Sequence, residues 1–233
     1  LASEHGLKYV QEAADMDNTG LVRLTAADSK AALETIALAF YQDVLWHYML
    51  PVQEPLYSRA VRSIMGFPVR YAIRYGEVYA PSPAMEGVAV WQTPTTPSFD
   101  LIRSLQSGLL EILALWVRLG RKHVRHLLDA SKTVLEARVR NAPIPHYYLE
   151  IIGVRPDHQG KGVGSRLIAP MLVRADCENV PCYLETQTES NVAFYRKRGF
   201  AVVEALHMPH GGPQVWIGTG WHTPNCSEVR FSL

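Results

Sequence analysis

The stretch VRPDHQGKGVGSRLIAP, Val154 to Pro170, limits the fold more than any other part of the chain. It leaves an apolar strand through a proline and places three glycines within five residues, at Gly160, Gly162 and Gly164. Apolar spacing then resumes at Leu167, Ile168, Met171 and Leu172 with the period of a helix. A strand feeding a glycine-rich turn and a helix N-terminus aims several backbone N–H groups and the positive end of a helix dipole at one point. The glycines keep side chains out of the way of a close approach. The expected ligand carries phosphate.

Two common phosphate loops do not fit. The dinucleotide pattern GxGxxG fails because Gly160-Lys161-Gly162-Val163-Gly164 is followed by Ser165, with no acidic residue closing the next strand where it is needed. The pattern GxxxxGK[ST] fails because Pro156 stands four residues before Gly160 and Gly160-Lys161 is not followed by Ser or Thr.

The rest of the chain reads as one mixed α/β unit. LVRLT, Leu21 to Thr25, alternates as a strand, and Leu33, Ile36, Ala37 and Phe40 then carry helical spacing. A second helical stretch runs from Leu56 to Ala72, with a kink or break expected at Pro68. GEVYA and EGVAVWQTP form a hairpin, and a helical insertion follows from Phe99 to about Arg140. HYYLEIIGV is a long central strand; CYLET is a strand after the glycine turn and its helix. The helix NVAFYRKR ends at Gly199, and FAVVEALHM pairs with PQVWIGT around PHGGP. Residues 1–20 are expected to be an N-terminal extension and 21–233 a single domain.

Twenty-three Lys plus Arg against 22 Asp plus Glu leave a formal net charge of +1, which gives no global attraction for nucleic acid or an anionic membrane. No apolar run approaches the ~18–20 residues of a membrane helix, and a cytoplasmic protein is the expectation. Cys177, Cys182 and Cys226 fall in neither CxxC nor His-rich metal spacing and are expected as small buried residues, with no metal site.

Gln159-Gly160-Lys161-Gly162-Val163-Gly164 after GVRPDH, then LET and NVAFYRKRGF, resemble the GNAT superfamily of N-acetyltransferases. GVAVWQTP, VPCYLET and PQVW narrow the resemblance toward puromycin N-acetyltransferase-like members. The resemblance implies a mostly antiparallel central sheet with one splayed parallel strand pair, flanked by helices, and acetyl-coenzyme A as acetyl donor. It implies that Gln159, Gly160, Lys161, Gly162, Val163, Gly164 and Ser165 hold the pyrophosphate, that Ile152, Gly153 and Val154 lend strand edge to the pantetheine, and that Asn191 contacts the cofactor. Lys161 reads equally as a solvated side chain, and Asn191 equally as a helix N-cap.

Acetyl transfer to an amine needs a proton acceptor for the ammonium and a donor for the departing thiolate. Tyr195 resembles the family tyrosine that protonates the sulfur. Glu185, at a strand end before that helix, is the expected base, with Glu150 the runner-up; either also reads as a backbone anchor. Tyr41, Trp46 and His47, beside Tyr48, lie where the family builds its acceptor pocket, although aromatics near a helix end also read as core; His47 reads as a further base. The expected partners are a small-molecule primary amine and, in a homodimer, a second copy of the chain. The basic run RLGRKHVRHLL reads as a solvated helix face. Two alternatives stay open: an acetyltransferase acting on protein amino termini or lysines, and a silent acyl-coenzyme A-binding module.

Overall fold

The computed structural model describes residues 20–50 and 55–220. The extension expected over 1–20, apart from Gly20, and Cys226 lie outside the described residues. The elements run β1 (Val22–Arg23), α1 (Ser29–Ala39), α2 (Val44–Met49), α3 (Leu56–Tyr75), β2 (Glu77–Ala80), β3 (Gly87–Gln92), α4 (Leu101–Gln106), α5 (Leu109–Asn141), β4 (Tyr147–Val154), α6 (Val163–Glu178), β5 (Cys182–Thr186), α7 (Glu189–Arg196), β6 (Phe200–His207) and β7 (Gln214–Gly220).

They build one seven-stranded sheet of order β1-β2-β3-β4-β5-β7-β6, antiparallel throughout except for the parallel pair β4–β5. That pair is joined only at Tyr147–Cys182, Tyr148–Tyr183 and Leu149–Leu184. β4 then runs on to Val154 and β5 to Thr186 without pairing to each other, so the splayed pair is present.

Alternation along the strands loads both faces. On one, Val78, Val88, Val90, Tyr148, Tyr183 and Ile217 pack with α1, α3 and α5. On the other, Ala89, Trp91, Leu149 and Leu184 pack under Leu167, Ile168 and Met171 of α6, the apolar row read from the sequence. Full burial of each such side chain contributes about 1.5–3 kcal/mol. A polar tie fastens α6 to the sheet: Arg174 reaches both oxygens of buried Glu77 at 2.9 and 3.0 Å and Glu178 at 3.0 Å, and Tyr147 donates to Glu178 at 2.6 Å.

Several expectations need correction. α3 runs unbroken through Pro68, because Val69, Tyr71 and Ala72 beyond it are buried and their packing outweighs the lost hydrogen bond. The first strand is shorter than Leu21–Thr25. The expected helical insertion is present, as two helices, α4 and α5, separated at Gly108 (φ 106°), with a further break inside α5 at Gly120 (φ 76°, ψ 161°). Cys182 is buried, but Cys177 is exposed on α6.

Gly76 shows how closely α3 meets the sheet. A Cβ there would lie 2.5 Å from the carbonyl oxygen of Trp91, a backbone atom that cannot swing aside. Gly76→Ala is expected to destabilise the fold by about 1–3 kcal/mol, the usual range for overpacking. Chemical denaturation checks this; an unchanged midpoint would contradict the packing.

Candidate functional site

The glycine turn is built from its ends inward. Pro156–His158 form a single 3₁₀ turn, the Arg155 N–H donates to the Glu86 carbonyl at 2.9 Å, and the Gln159 side chain donates to the Val154 carbonyl at 3.1 Å. Gly160 and Gly162 have φ of 73° and 79°, where a side chain is strained, and a Cβ at either would meet nothing within 4 Å. Gly162 is the N-cap of α6, whose first turn carries no acidic residue. Two positive-φ glycines with open space beside them thus precede a helix N-terminus, which is what the backbone of an anion cradle requires.

The flanking residues divide. Lys161 is exposed and its Nζ donates to the Asp157 carbonyl at 2.8 Å, back into its own loop. Val163 packs against the core and Gly164 lies beside Phe194, so Gly164 serves packing rather than an open approach. Ser165 Oγ is hydrogen-bonded by Arg198, whose guanidinium carbon sits 3.5 Å from the Phe194 ring centroid. Arg198 thus brings a cation to the first turn of α6. Sequence reading missed it, since the contact spans 33 positions.

Ile152, Gly153 and Val154 form the outer end of β4, paired to β3 on one side and left by β5 on the other. Gly153 lets the end of α1 lie close on the strand, since a Cβ there would meet the Ala39 Cβ at 3.0 Å. Asn191 is exposed in the first turn of α7 but is not its N-cap; Thr188 is, accepting from the Asn191 N–H at 3.2 Å.

Glu185 and Glu150 meet around the point where β4 and β5 part. Val90 opposes Ile151 and Trp91 opposes Leu149, which leaves Glu150 as the extra residue of a β-bulge. Its carboxylate accepts from the Gln92 amide at 2.8 Å. Glu185 accepts from the Tyr148 hydroxyl at 2.8 Å, while its Oε1 and the Tyr183 hydroxyl are shut off from solvent without a hydrogen bond of normal geometry. Arg138 of α5 lies over the Tyr148 ring, 4.7 Å from its centroid. Both carboxylates keep some exposed surface at the strand gap, yet both lie deep enough for desolvation to raise their pKa. Glu185 is pushed up to about 7, against the opposing pull of its tyrosine neighbours and Arg138. A carboxyl group with a pKa near neutrality is suited to exchange protons there. Tyr148, Gln92 and Arg138 were not singled out in the sequence; the polar Tyr-Tyr-x-Glu run inside an apolar strand was the available signal.

Tyr195 lies on the opposite face. It packs with Leu184, Phe200 and α6, its ring edge-on to Phe194 and Phe200 at 5.2 and 5.7 Å. Burial holds its phenol well above its ordinary pKa, so it keeps its proton through neutral pH. The sheet separates Tyr195 from Glu185.

The acceptor-loop candidates separate. Tyr41 and His47 gather on Tyr57 with ring centroids 5.8 and 4.8 Å away, and His47 Nε2 engages the Tyr41 carbonyl at 2.8 Å. Trp46 instead packs against the core as part of α2. That short helix was not foreseen, although Asp43 caps it by accepting from the Leu45 and Trp46 N–H groups at 3.0 and 3.2 Å. Tyr48 donates to the Pro209 carbonyl and joins α2 to the β6–β7 turn.

The profile of the Acetyltransferase (GNAT) family matches residues 134–200, from the end of α5 to the start of β6. An uncharacterised N-acetyltransferase of Schizosaccharomyces pombe is 27% identical over 199 residues, spanning 83% of this chain and 78% of that protein. The fold is similar to a histone acetyltransferase HPA2 and related acetyltransferase from Corynebacterium glutamicum (TM-score 0.59, 19% identity, 88% of this chain and 97% of that one). It is also similar to a polyamine N-acetyltransferase of Drosophila melanogaster (TM-score 0.56, 13% identity, 87% and 99%).

Proposed function

We propose that the chain is an N-acetyltransferase of the GNAT type, a reading supported by the family profile over residues 134–200 and by the Schizosaccharomyces pombe relative, and that it transfers the acetyl group of acetyl-coenzyme A directly to a primary amine of a small molecule. The observation that carries this reading is the splayed β4–β5 pair, with an open anion cradle beyond one strand end and a carboxyl group of near-neutral pKa beside the gap.

The loop fits the pyrophosphate: the space over Gly160 and Gly162 is open, both glycines hold conformations that keep it open, and Arg198 stands at the adjoining helix turn. Gln159 to Ser165 and Asn191 would flank the nucleotide end, and Ile152, Gly153 and Val154 would offer the unpaired edge of β4 to the pantetheine amides. Acetyl-coenzyme A supplies an activated acetyl group and a thiol leaving group. Glu185 accepts the ammonium proton, which frees the nitrogen lone pair for attack on the thioester carbonyl. As the thiol leaves, Tyr195 would give its phenolic proton to the sulfur, and the phenolate would regain a proton from the acylated nitrogen as that nitrogen becomes a neutral amide. The base and the acid stand on opposite faces of the sheet, as a transfer through the strand gap needs. Tyr41 and His47 flank the acceptor's entry. A small primary amine is also what the Drosophila fold relative acetylates, forming N-acetylagmatine.

Tyr195→Phe removes only the phenolic oxygen and keeps the ring in its packing. It is expected to lower kcat by about tenfold to a hundredfold, toward the low end for an acid–base group, with acetyl-coenzyme A affinity unchanged. Steady-state rates beside calorimetric binding give the answer. A wild-type kcat across the pH range would remove Tyr195 from the reaction.

A further inference from the structure

The last turns of α5 are fastened to the sheet and leave one cation unspent. Ala137 is fully buried, Arg140 donates to Glu204 of β6 at 2.8 Å, and the Asn141 amide donates to the same carboxylate. Arg138 lies among these anchors, half-buried, with its guanidinium carbon 4.7 Å from the Tyr148 ring centroid. Among the described residues, no carboxylate or carbonyl accepts a hydrogen bond from its side chain or forms an ion pair with it.

Carboxylates are nevertheless close by. Burial raises the pKa of both Glu185 and Glu150, and the charge of Arg138 opposes the rise at each. Their hydrogen bonds go elsewhere: Glu185 accepts from Tyr148 and Glu150 from Gln92, each at 2.8 Å. Glu204 is taken by Arg140 and Asn141. A guanidinium presents five N–H donors in a rigid fork that matches a carboxylate. Donors left unmet in a half-buried place cost free energy that a bound anion would recover.

Tyr148 sets the spacing. Arg138 rests on the face of its ring and Glu185 on its hydroxyl, so side chains in contact join the cation to the proposed base across a single phenol. Tyr183, its ring centroid 5.6 Å from that of Tyr148, extends this buried aromatic floor, while Arg138 and Glu185 both keep exposed surface. We propose that Arg138 binds a carboxylate of the acceptor while Glu185 takes its amine, so that the substrate is a short amino acid whose two groups lie about one phenol ring apart. The proposal rests on the acetyltransferase reading for the role of Glu185, but recognition of the carboxylate can be measured without turnover.

The test uses matched pairs: glycine, β-alanine, 4-aminobutyrate and phenylalanine, each beside its carboxamide. Binding to the whole chain is measured by calorimetry with coenzyme A present, and acetylation rates are measured separately with acetyl-coenzyme A. At least one acid is expected to bind about tenfold or more tightly than its amide, the usual contribution of a charge-assisted hydrogen-bonded pair, and its kcat/KM should follow. Arg138→Gln should bring that pair to near parity. Arg138→Lys keeps a cation for the Tyr148 ring, which also controls for folding, but loses the fork, so it should restore only part of the preference. A role limited to tuning Glu185 would move the pH profiles of acid and amide together and leave their ratio unchanged in Arg138→Gln. That result would overturn the proposal, as would equal handling of acid and amide by the unaltered chain or no binding of any member. Acid-selective binding that is lost in Arg138→Gln, with no acetylation of any member, would stand against the transfer reaction and not against the carboxylate site.

Discussion

Glu185→Gln is expected to lower kcat/KM for the amine by about 10²-fold or more, the usual loss for an acid–base group, while acetyl-coenzyme A binding stays near wild type. The amide keeps the size of the carboxylate and can still accept from the Tyr148 hydroxyl, now 2.8 Å from Glu185 Oε2. It cannot take a proton. Glu150→Gln is expected to cost much less, because Glu150 is already engaged by the Gln92 amide at 2.8 Å at the bulge. Single-variant kinetics on the same amine decide the order, and its reversal would move the base to Glu150.

The pH profile carries the same assignment. Desolvation places the Glu185 pKa at about 7, so the wild-type rate should rise as pH increases through that value and the base ionises. In Glu185→Gln that limb should be gone, leaving only the ionisation of the amine at higher pH. Stability shifts in a linked way. A Glu whose folded pKa is raised binds more protons folded than unfolded between about 4.5 and 7, so the fold loses stability as pH rises through that window. Glu185→Gln should flatten this dependence and gain stability relative to wild type above pH 7. Urea midpoints measured across the range thus also show that the slow variant is folded.

Gly162→Val is expected to weaken acetyl-coenzyme A binding by about 10²-fold or more. Two effects add. The residue holds φ of 79°, a region that costs a side-chain-bearing residue roughly 1–2 kcal/mol, so the loop would relax away from its cradle geometry. The new branched side chain would also enter the open space above the N-cap of α6. Gly164→Ala is the internal control: its Cβ would meet the Phe194 ring at 3.4 Å and leave the cradle open, so it should bind the donor nearly normally. Calorimetry on the folded variants separates the two. Equal affinity at wild-type and Gly162→Val would remove the pyrophosphate from this loop.

What could be read from the sequence was local. The strand, turn and helix around Gly160 to Leu172 lie within one stretch of chain, and their glycine chemistry and apolar period are written there directly. The β2–β3 and β6–β7 hairpins were legible for the same reason. What could not be read depends on register or on distant partners. The bulge that sets Glu150 exists only in the pairing of β4 with β3. The Tyr148–Glu185 contact joins strands separated by a glycine loop and a helix. The stack of Tyr48, His126 and His210 gathers three segments that sequence reading treated as unrelated. At Pro68 the local rule gave the wrong result, since the buried residues beyond it hold α3 together.

The most direct test of the account is the initial-rate pattern of acetyl transfer, with acetyl-coenzyme A and a reactive amine varied together and thiol release followed alongside the mass of the acetylated product. Direct transfer predicts intersecting double-reciprocal lines, one thiol per acetylamine formed, and no acetylated protein when acetyl-coenzyme A is supplied alone. Parallel lines with a trapped acetyl-enzyme, or tight acetyl-coenzyme A binding with no product from any amine, would contradict it.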